Sequence, residues 1–485
     1  MRIIRNAEEG KQLLLSRRPL ETEELPMDMR ETTFRTFGQE LSPDEVVRRI
    51  IRDVRDDGDN AVRYYNSKLD GATVGDLKVS RDEIAAAYNT LDQELIEALK
   101  FAAGRVRRYH ETQLRGAMFD FQQNGLGQMT RPLQRAAIYV PGTRAPLPST
   151  VLMCAIPARV AGVDEVYLAS PVLPDGTVPP VKLVAADIAG VDGVYKAGGA
   201  QGVAAFAYGT ESIPRVDKIA GPGGLFVTIA KRQVFGDVGI DSIYGPTETV
   251  IIADESANPE FVAADLIAQA EHDALASPIL LTPSHYLADN VAAAIERQLK
   301  TLERAKIARA AFDGRGGCIL TNDIDHAIEL ANFYAPEHLC LCIENPSAYA
   351  HKVKNAGGLF LGEASPEAVG DYTAGPSHTM PTGGTARFLE EHGISAKQVH
   401  WPLSGKTPNV MDYLRERKFD LVINIPKNYQ EEELTNDYII RRTAVDFAIP
   451  LFTNVRLARR FVEALSRKSM KDLQIKSWTE YRSGK

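Results

Sequence analysis

Residues 135–171 read "RAAIYVPGTRAPLPSTVLMCAIPARVAGVDEVYLASP". The run "RAAIYVPG" is short, apolar and ended by Pro and Gly, which reads as a buried strand. "STVLMCAIPARVAGV" carries a helix, and "EVYLASP" returns to a strand. The alternation continues with a helix in "VKLVAADIAG", a strand in "GVYKAGG" and a helix in "QGVAAFAYGT". Strands and helices alternating at this spacing predict a parallel sheet covered on both faces. "DKIAGPGGLFVTIAKRQVFG" adds strand, glycine loop and helix. A second unit of the same kind then runs through "TETVIIADE", a helix predicted over 260–276, "PILLTP", "GGCILTN", "HLCLCIE" and "GGLFLGE". The fold class is α/β, with two doubly wound, Rossmann-like domains. Ligands of such sheets are expected at the carboxyl ends of the strands.

Upstream, residues 1–130 read as a mostly helical region. One helix starts at the N-cap Ser42. Another starts at Ser80 and runs on through "YHETQL". Downstream, "FDLVINIP", "TNDYIIRRTAVDFA", "IPLFTN" and "RLARRFVEALSRKS" read as strand, helix, strand and helix. The chain has 485 residues, a length that argues for about three domains. It is 44% apolar and 25% charged, the balance of a globular protein, with a net charge of -8. No stretch is dominated by Lys and Arg, so no nucleic-acid partner is expected. No apolar run is long enough to span a bilayer, and the charged N-terminus lacks the apolar core of a signal peptide. Cys154, Cys318, Cys340 and Cys342 form no CxxC pair and read as small buried hydrophobes in a reduced cytoplasm.

Four groups of residues could carry chemistry. Gln269 and His272 stand i and i+3 on the predicted helix, where both can face one ion, with Glu271 and Asp273 beside them. The same residues also read as a solvated polar patch near a helix end. In "NFYAPEHLCL", Glu337 and His338 precede a strand, either as a general acid and base or as a surface Glu and a hydrogen-bonded His. "PEAVGDYTAGPSHTMPTGGTARF" holds Asp371, Tyr372 and His378 in a loop rich in Gly and Pro. The glycine loops "AGGAQG" and "AGPGG" lead into helices, and each could bring backbone amides to a phosphate or be an ordinary tight turn.

From residue 1 to about 388 the chain resembles histidinol dehydrogenase. The likeness is carried by "YVPGTRAPLPSTVLMCAIPARVAGV", "AGGAQGVAAFAYGTESIPRVDKIAGPG", "VGIDSIYGPTE", "DLIAQAEHD", "YAPEHL" and "GDYTAGPSHTMPTGG", in the family's order and spacing. The resemblance implies a zinc-dependent homodimer that oxidises L-histidinol to L-histidine through the aldehyde, using two NAD. It implies Gln269, His272 and Asp371 as ligands of Zn2+, His338 as the base for the substrate hydroxyl, and Glu337 as the activator of water. It implies substrate contacts for Thr247, Tyr372 and His378, besides Gln269, His272, Glu337 and Asp371. Tyr139, Gln201 and Gly224 would line the NAD site. The chain departs from the family pattern at Thr247 (usually Ser), Gly224 (usually Asn) and Thr143 (often Gly).

The family continues past its "PTGGTARF" with a helical tail that gives a Glu and a fourth zinc ligand, a His, to the partner's site. Here "DLVIN", "IRRTAVD" and "IPLFTN" instead resemble the second half of the methylglyoxal-synthase-like regulatory domain that ends the carbamoyl-phosphate synthase large chain. No histidine lies beyond His400. The junction falls at roughly residues 382–389, in a motif common to both families. Thr382, Thr385 and Asn424 fall where that domain handles an effector phosphate, and the alternative function is an inactive or regulatory chimera whose C-terminal segment binds a phosphate or nucleotide effector, or a related dehydrogenase of another small alcohol. The expected organisation is a helical region over 1–130 that contributes to the catalytic domain, an NAD-binding domain over 131–244, a zinc and catalytic domain over 245–388, and a partial methylglyoxal-synthase-like segment over 389–485.

Overall fold

The computed structural model describes residues 1–16, 27–117, 120–123, 126–142, 146–243 and 245–378. Beyond these it describes only Val410, Val422, Ile423, Ile440, Leu451 and Phe452. The chain opens with β1 (Ile3–Ile4), α1 (Ala7–Leu14), α2 (Met27–Phe37), α3 (Pro43–Leu69), α4 (Arg81–Tyr88) and α5 (Gln93–Ala117). The hairpin β2 (Phe121–Gln123) and β3 (Leu126–Gln128) follows.

The first α/β layer holds β4 (Arg135–Tyr139), α6 (Pro148–Val160), β5 (Glu165–Ser170), α7 (Pro180–Ala189), β6 (Gly193–Lys196), α8 (Gly199–Tyr208), β7 (Lys218–Ala220), α9 (Leu225–Val234) and β8 (Gly239–Ile240). Its strands are all parallel, in the order β6-β5-β4-β7-β8.

The second layer holds β9 (Glu248–Ala253), α10 (Pro259–Ala270), β10 (Ser277–Thr282), α11 (His285–Gln298), α12 (Ala305–Gly314), β11 (Gly317–Leu320), α13 (Ile324–Tyr334), β12 (His338–Cys342), α14 (Pro346–Tyr349), β13 (Gly358–Leu361) and α15 (Glu367–Val369). Its order is β1-β11-β10-β9-β12-β13, again parallel throughout. The doubly wound reading therefore stands for both layers.

The N-terminal region divides between the two. Ile3 and Ile4 pair with Cys318 and Ile319 of the second sheet. Val47, Ile50 and Tyr65 of α3 and Val106 of α5 share one core with Ile138, Leu168 and Phe206 of the first. Both predicted helix starts are capping boxes. Ser42 and Ser80 each accept the N–H three residues on, and each donates its own N–H to the Glu at that position. The helix from Ser80 does not run through. It stops at the C-cap Asn89 and resumes at Gln93, because Asn89 and Thr90 turn back on Ala86 and Ala87.

A second difference bears on the site. The helix predicted over 260–276 ends at Ala270, with Glu271 as its C-cap. Asp273 takes the N–H of Leu275 at 2.8 Å, an Asx turn that swings the chain into β10. His272 therefore sits in the turn beyond the helix, its N–H on the Gln269 carbonyl at 3.1 Å.

The chain divides into two compact units, Met1–Gly384 and Thr385–Lys485. In the second, β14 (Val422–Ile423) and β15 (Leu451–Phe452) pair in parallel, and both lie in stretches read as strands from the sequence. Among the described residues no helix is long and apolar enough to cross a membrane.

Candidate active site

The residues expected at the NAD site lie at the carboxyl edge of the first sheet, whereas those expected around zinc and substrate lie at the amino edge of the second. Thr247 immediately precedes β9, Glu337 precedes β12, and His338 is the first residue of β12. All three lie at the amino edge of the second sheet, where β9 and β12 are neighbours with His338 opposite Thr249. The cause lies in α10, whose carboxyl end reaches this edge before β10 begins. That end carries the negative pole of the helix dipole, which favours a cation. At a carboxyl edge the helix poles would be positive.

Four of the expected residues form one connected group. The Thr247 hydroxyl lies 2.9 Å from Gln269 Oε1 and 2.8 Å from Glu337 Oε2. Its single hydrogen serves one acceptor at a time. Glu337 Oε2 also takes the backbone N–H of Glu248 at 3.2 Å, which fixes the carboxylate against the sheet edge. Gln269 Nε2 lies 3.3 Å from His338 Nδ1. Gln269 and His338 are buried, at 5% and 4% exposure. The reading of this His as a hydrogen-bonded residue therefore stands beside the acid–base one. Burial, with His272 and His378 nearby, pushes the His338 pKa down to about 3, so its imidazole is neutral at physiological pH. His272 is exposed in its turn, yet partial desolvation of its ring lowers its pKa as well.

His378 comes to the same neighbourhood from the other side. Its ring lies between two side chains of α6, with Nε2 3.3 Å from Thr150 Oγ1 and Nδ1 3.6 Å from Cys154 Sγ. Burial pushes its pKa down to about 4. Asp371 and Tyr372 fall on the turn Gly370–Ala374 just ahead of it, but their side chains lie outside the described residues. So do Thr143, Thr382, Thr385 and Asn424.

The second group sits at the carboxyl edge of the first sheet. Tyr139 ends β4, and its hydroxyl accepts the N–H of Gly199 at the start of α8. Gln201 lies in the first turn of α8, fully buried, and its Nε2 donates to Asn66 Oδ1 at 3.2 Å and Asp70 Oδ2 at 3.3 Å. Gly224 is the N-cap of α9 and offers no capping side chain. The turn before it is pressed against β4. Gly221 has φ +110°, and a Cβ there would stand 2.2 Å from the Tyr139 carbonyl. Lys231 and Asp241, ion-paired, hold this turn through the Gly221 carbonyl at 2.9 Å and its N–H at 2.7 Å.

The residues present fit both groups that the resemblance implies. The Oε1 of Gln201 is buried with no hydrogen-bond partner among the described residues, at the helix start where a dinucleotide would lie. For zinc, Gln269 supplies an amide oxygen and His272 a neutral imidazole at the negative end of α10. Among the described residues no three His, Cys, Asp or Glu side chains converge, and the third expected ligand is Asp371.

Sequence reasoning missed Glu367. It is 5% exposed and accepts the Gln269 Nε2–H and the Thr249 hydroxyl, the latter at 2.9 Å. Its only trace in the sequence is a carboxylate four residues ahead of Asp371.

Residues 36–398 match the histidinol dehydrogenase family, and residues 378–453 match the MGS-like domain. Histidinol dehydrogenase of Moorella thermoacetica is 49% identical over 372 residues, 75% of this chain and 88% of its own length. That of Thermus thermophilus is 51% identical over 346 residues, 71% and 82% of the two chains. The crystal structure of the Elizabethkingia anophelis histidinol dehydrogenase superposes with a TM-score of 0.71 at 31% identity, covering 95% of this chain and 99% of that one. The chain belongs to the histidinol dehydrogenase family, the NAD oxidoreductases of histidine biosynthesis, and carries an MGS-like domain at its C-terminal end.

Proposed function

We propose that the chain oxidises L-histidinol to L-histidine through L-histidinal at the amino edge of its second sheet. The observation that carries this reading is the linked set Thr247, Gln269, Glu337 and His338, with contacts of 2.8–3.3 Å. Gln269, His272 and Asp371 would hold zinc, which when bound fixes the substrate's amino and imidazole nitrogens. Tyr139, Gln201 and the N-terminus of α9 at Gly224 would hold NAD, which accepts the hydride.

The remaining work falls to side chains. Neutral His338 takes the hydroxyl proton as the carbinol carbon loses hydride. At the aldehyde stage Glu337 takes a proton from water as its oxygen bonds to the carbonyl carbon, and a second hydride leaves the resulting hydrate. Two adjacent groups can therefore divide two proton tasks. Thr247 shares its one hydrogen between Gln269 and Glu337, so it couples the nitrogen-binding end of the site to the water-activating end. Tyr372 and His378 would complete the substrate pocket, and the family reading supports a homodimer.

Zinc-loaded chain should form NADH, followed at 340 nm, on addition of L-histidinol. The double variant E337Q/H338N should lose at least about 100-fold in kcat, the scale of general acid–base catalysis. Wild-type protein silent toward histidinol would reject the proposal.

A further inference from the structure

We infer that Glu367 is a positioning residue: it orients the Gln269 amide and so sets the affinity of the α10 carboxyl end for a divalent cation. This rests on the zinc reading of Gln269 and His272 given above.

Glu367 is buried between the sheet and α10, and donors from both face it. Thr249 Oγ1 lies 2.9 Å from Oε1 and 3.0 Å from Oε2, Cys340 Sγ lies 3.4 Å from Oε1, and Gln269 Nε2 donates to Oε2. His338 Nδ1 stands 3.6 Å from the same Oε2. An amide side chain can present either its nitrogen or its oxygen to a neighbour, and the choice is decided by what that neighbour accepts or donates. A carboxylate only accepts. Glu367 therefore forces the nitrogen of Gln269 inward and the oxygen outward, against Thr247 at 2.9 Å. A carbonyl oxygen has two lone pairs and Thr247 can occupy one of them, which leaves the other for a cation. Turned over, the amide would set its oxygen against a buried carboxylate and offer the site a nitrogen that ligates no metal. The Thr249 hydroxyl, held in the register that pairs it with His338, keeps the carboxylate itself from rotating.

A group that orients a ligand is worth about 10–100-fold in metal affinity. Zinc dissociation constants of the full chain, measured by competition with a chromophoric chelator, test the inference on wild type, Q269A, E367Q and E367D. E367Q removes the charge at nearly constant shape, and its uncharged amide no longer dictates which face of Gln269 it meets. E367D keeps the charge and withdraws it by one methylene. The expected result is a zinc Kd raised 10–100-fold in E367Q and less in E367D. NADH affinity, read by fluorescence at the first sheet, should stay within twofold of wild type. Metal-free melting within a few degrees of wild type shows which variant is folded, and either one alone decides. Wild-type zinc affinity in a folded Glu367 variant, with Q269A weakened, overturns the inference and leaves the zinc site standing. Wild-type affinity in Q269A overturns both.

Discussion

At the scale of single residues, the fold holds some carboxyls partly out of water. Asp70, at the end of α3, has its carboxyl pushed up to about 6 by burial. A raised carboxyl pKa means that the folded state holds the proton more tightly than the unfolded chain. Its contribution to stability is therefore full below the ordinary value of 3.8 and lost as pH rises through 6. Replacing it with Asn keeps an acceptor for Gln201 and removes the charge. D70N should melt higher than wild type at pH 8, by a stability gain on the order of 2 kcal/mol, with the gain vanishing below pH 4. Melts across this range check it, and equal curves at pH 8 would refute it. None of this was visible in the sequence, where Asp70 and Glu367 look like any other surface carboxylates. Burial of a polar group is decided by elements distant in the chain, and no local spacing encodes it.

Elements were the most legible scale. The capping boxes at Ser42 and Ser80, and the apolar runs of the strands, place most helices and strands, because caps and periodicity act within one turn. The failures were also local in cause. The Asx turn at Asp273 ended α10 early, and the pair of Gln269 and His272 became a helix end rather than a helix face. In "AGPGG" the backbone at Gly221 makes a tight turn. At Gly221 the left-handed backbone and the 2.2 Å approach to Tyr139 leave no room for a Cβ. G221A should cost about 1–3 kcal/mol in backbone strain alone, with more from the clash. It should also weaken NADH binding more than it weakens zinc binding, because the turn leads into α9 at the first sheet. Denaturant unfolding and NADH fluorescence titration measure the two effects. An unaffected NADH affinity would count against the cofactor reading of this loop.

At the scale of the molecule, two families meet in one chain. Their matched segments share residues 378–398, and the division after Gly384 falls inside that shared stretch. The resemblance carried the sequence reading this far because the motifs of the first 388 residues occur together and in order. A chain cut after Gly384 should retain cooperative unfolding, with a melting temperature within a few degrees of the full chain, since the cores of both sheets lie before the cut. Calorimetry on both forms measures this, and loss of the cooperative transition in the shorter chain would show that the first unit depends on the second.

The pairing of β1 with β11 has a consequence in time. Ile3 meets Cys318, so β1 waits for a partner 315 residues later (318 − 3). At about 5–20 residues per second that is roughly 15–60 s of synthesis. The first sheet, whose strands lie within residues 135–240, is complete long before then. The ribosome thus delivers the half that would hold the dinucleotide first, and the sheet that carries Glu337 and His338 gains the pairing of β1 only late in synthesis.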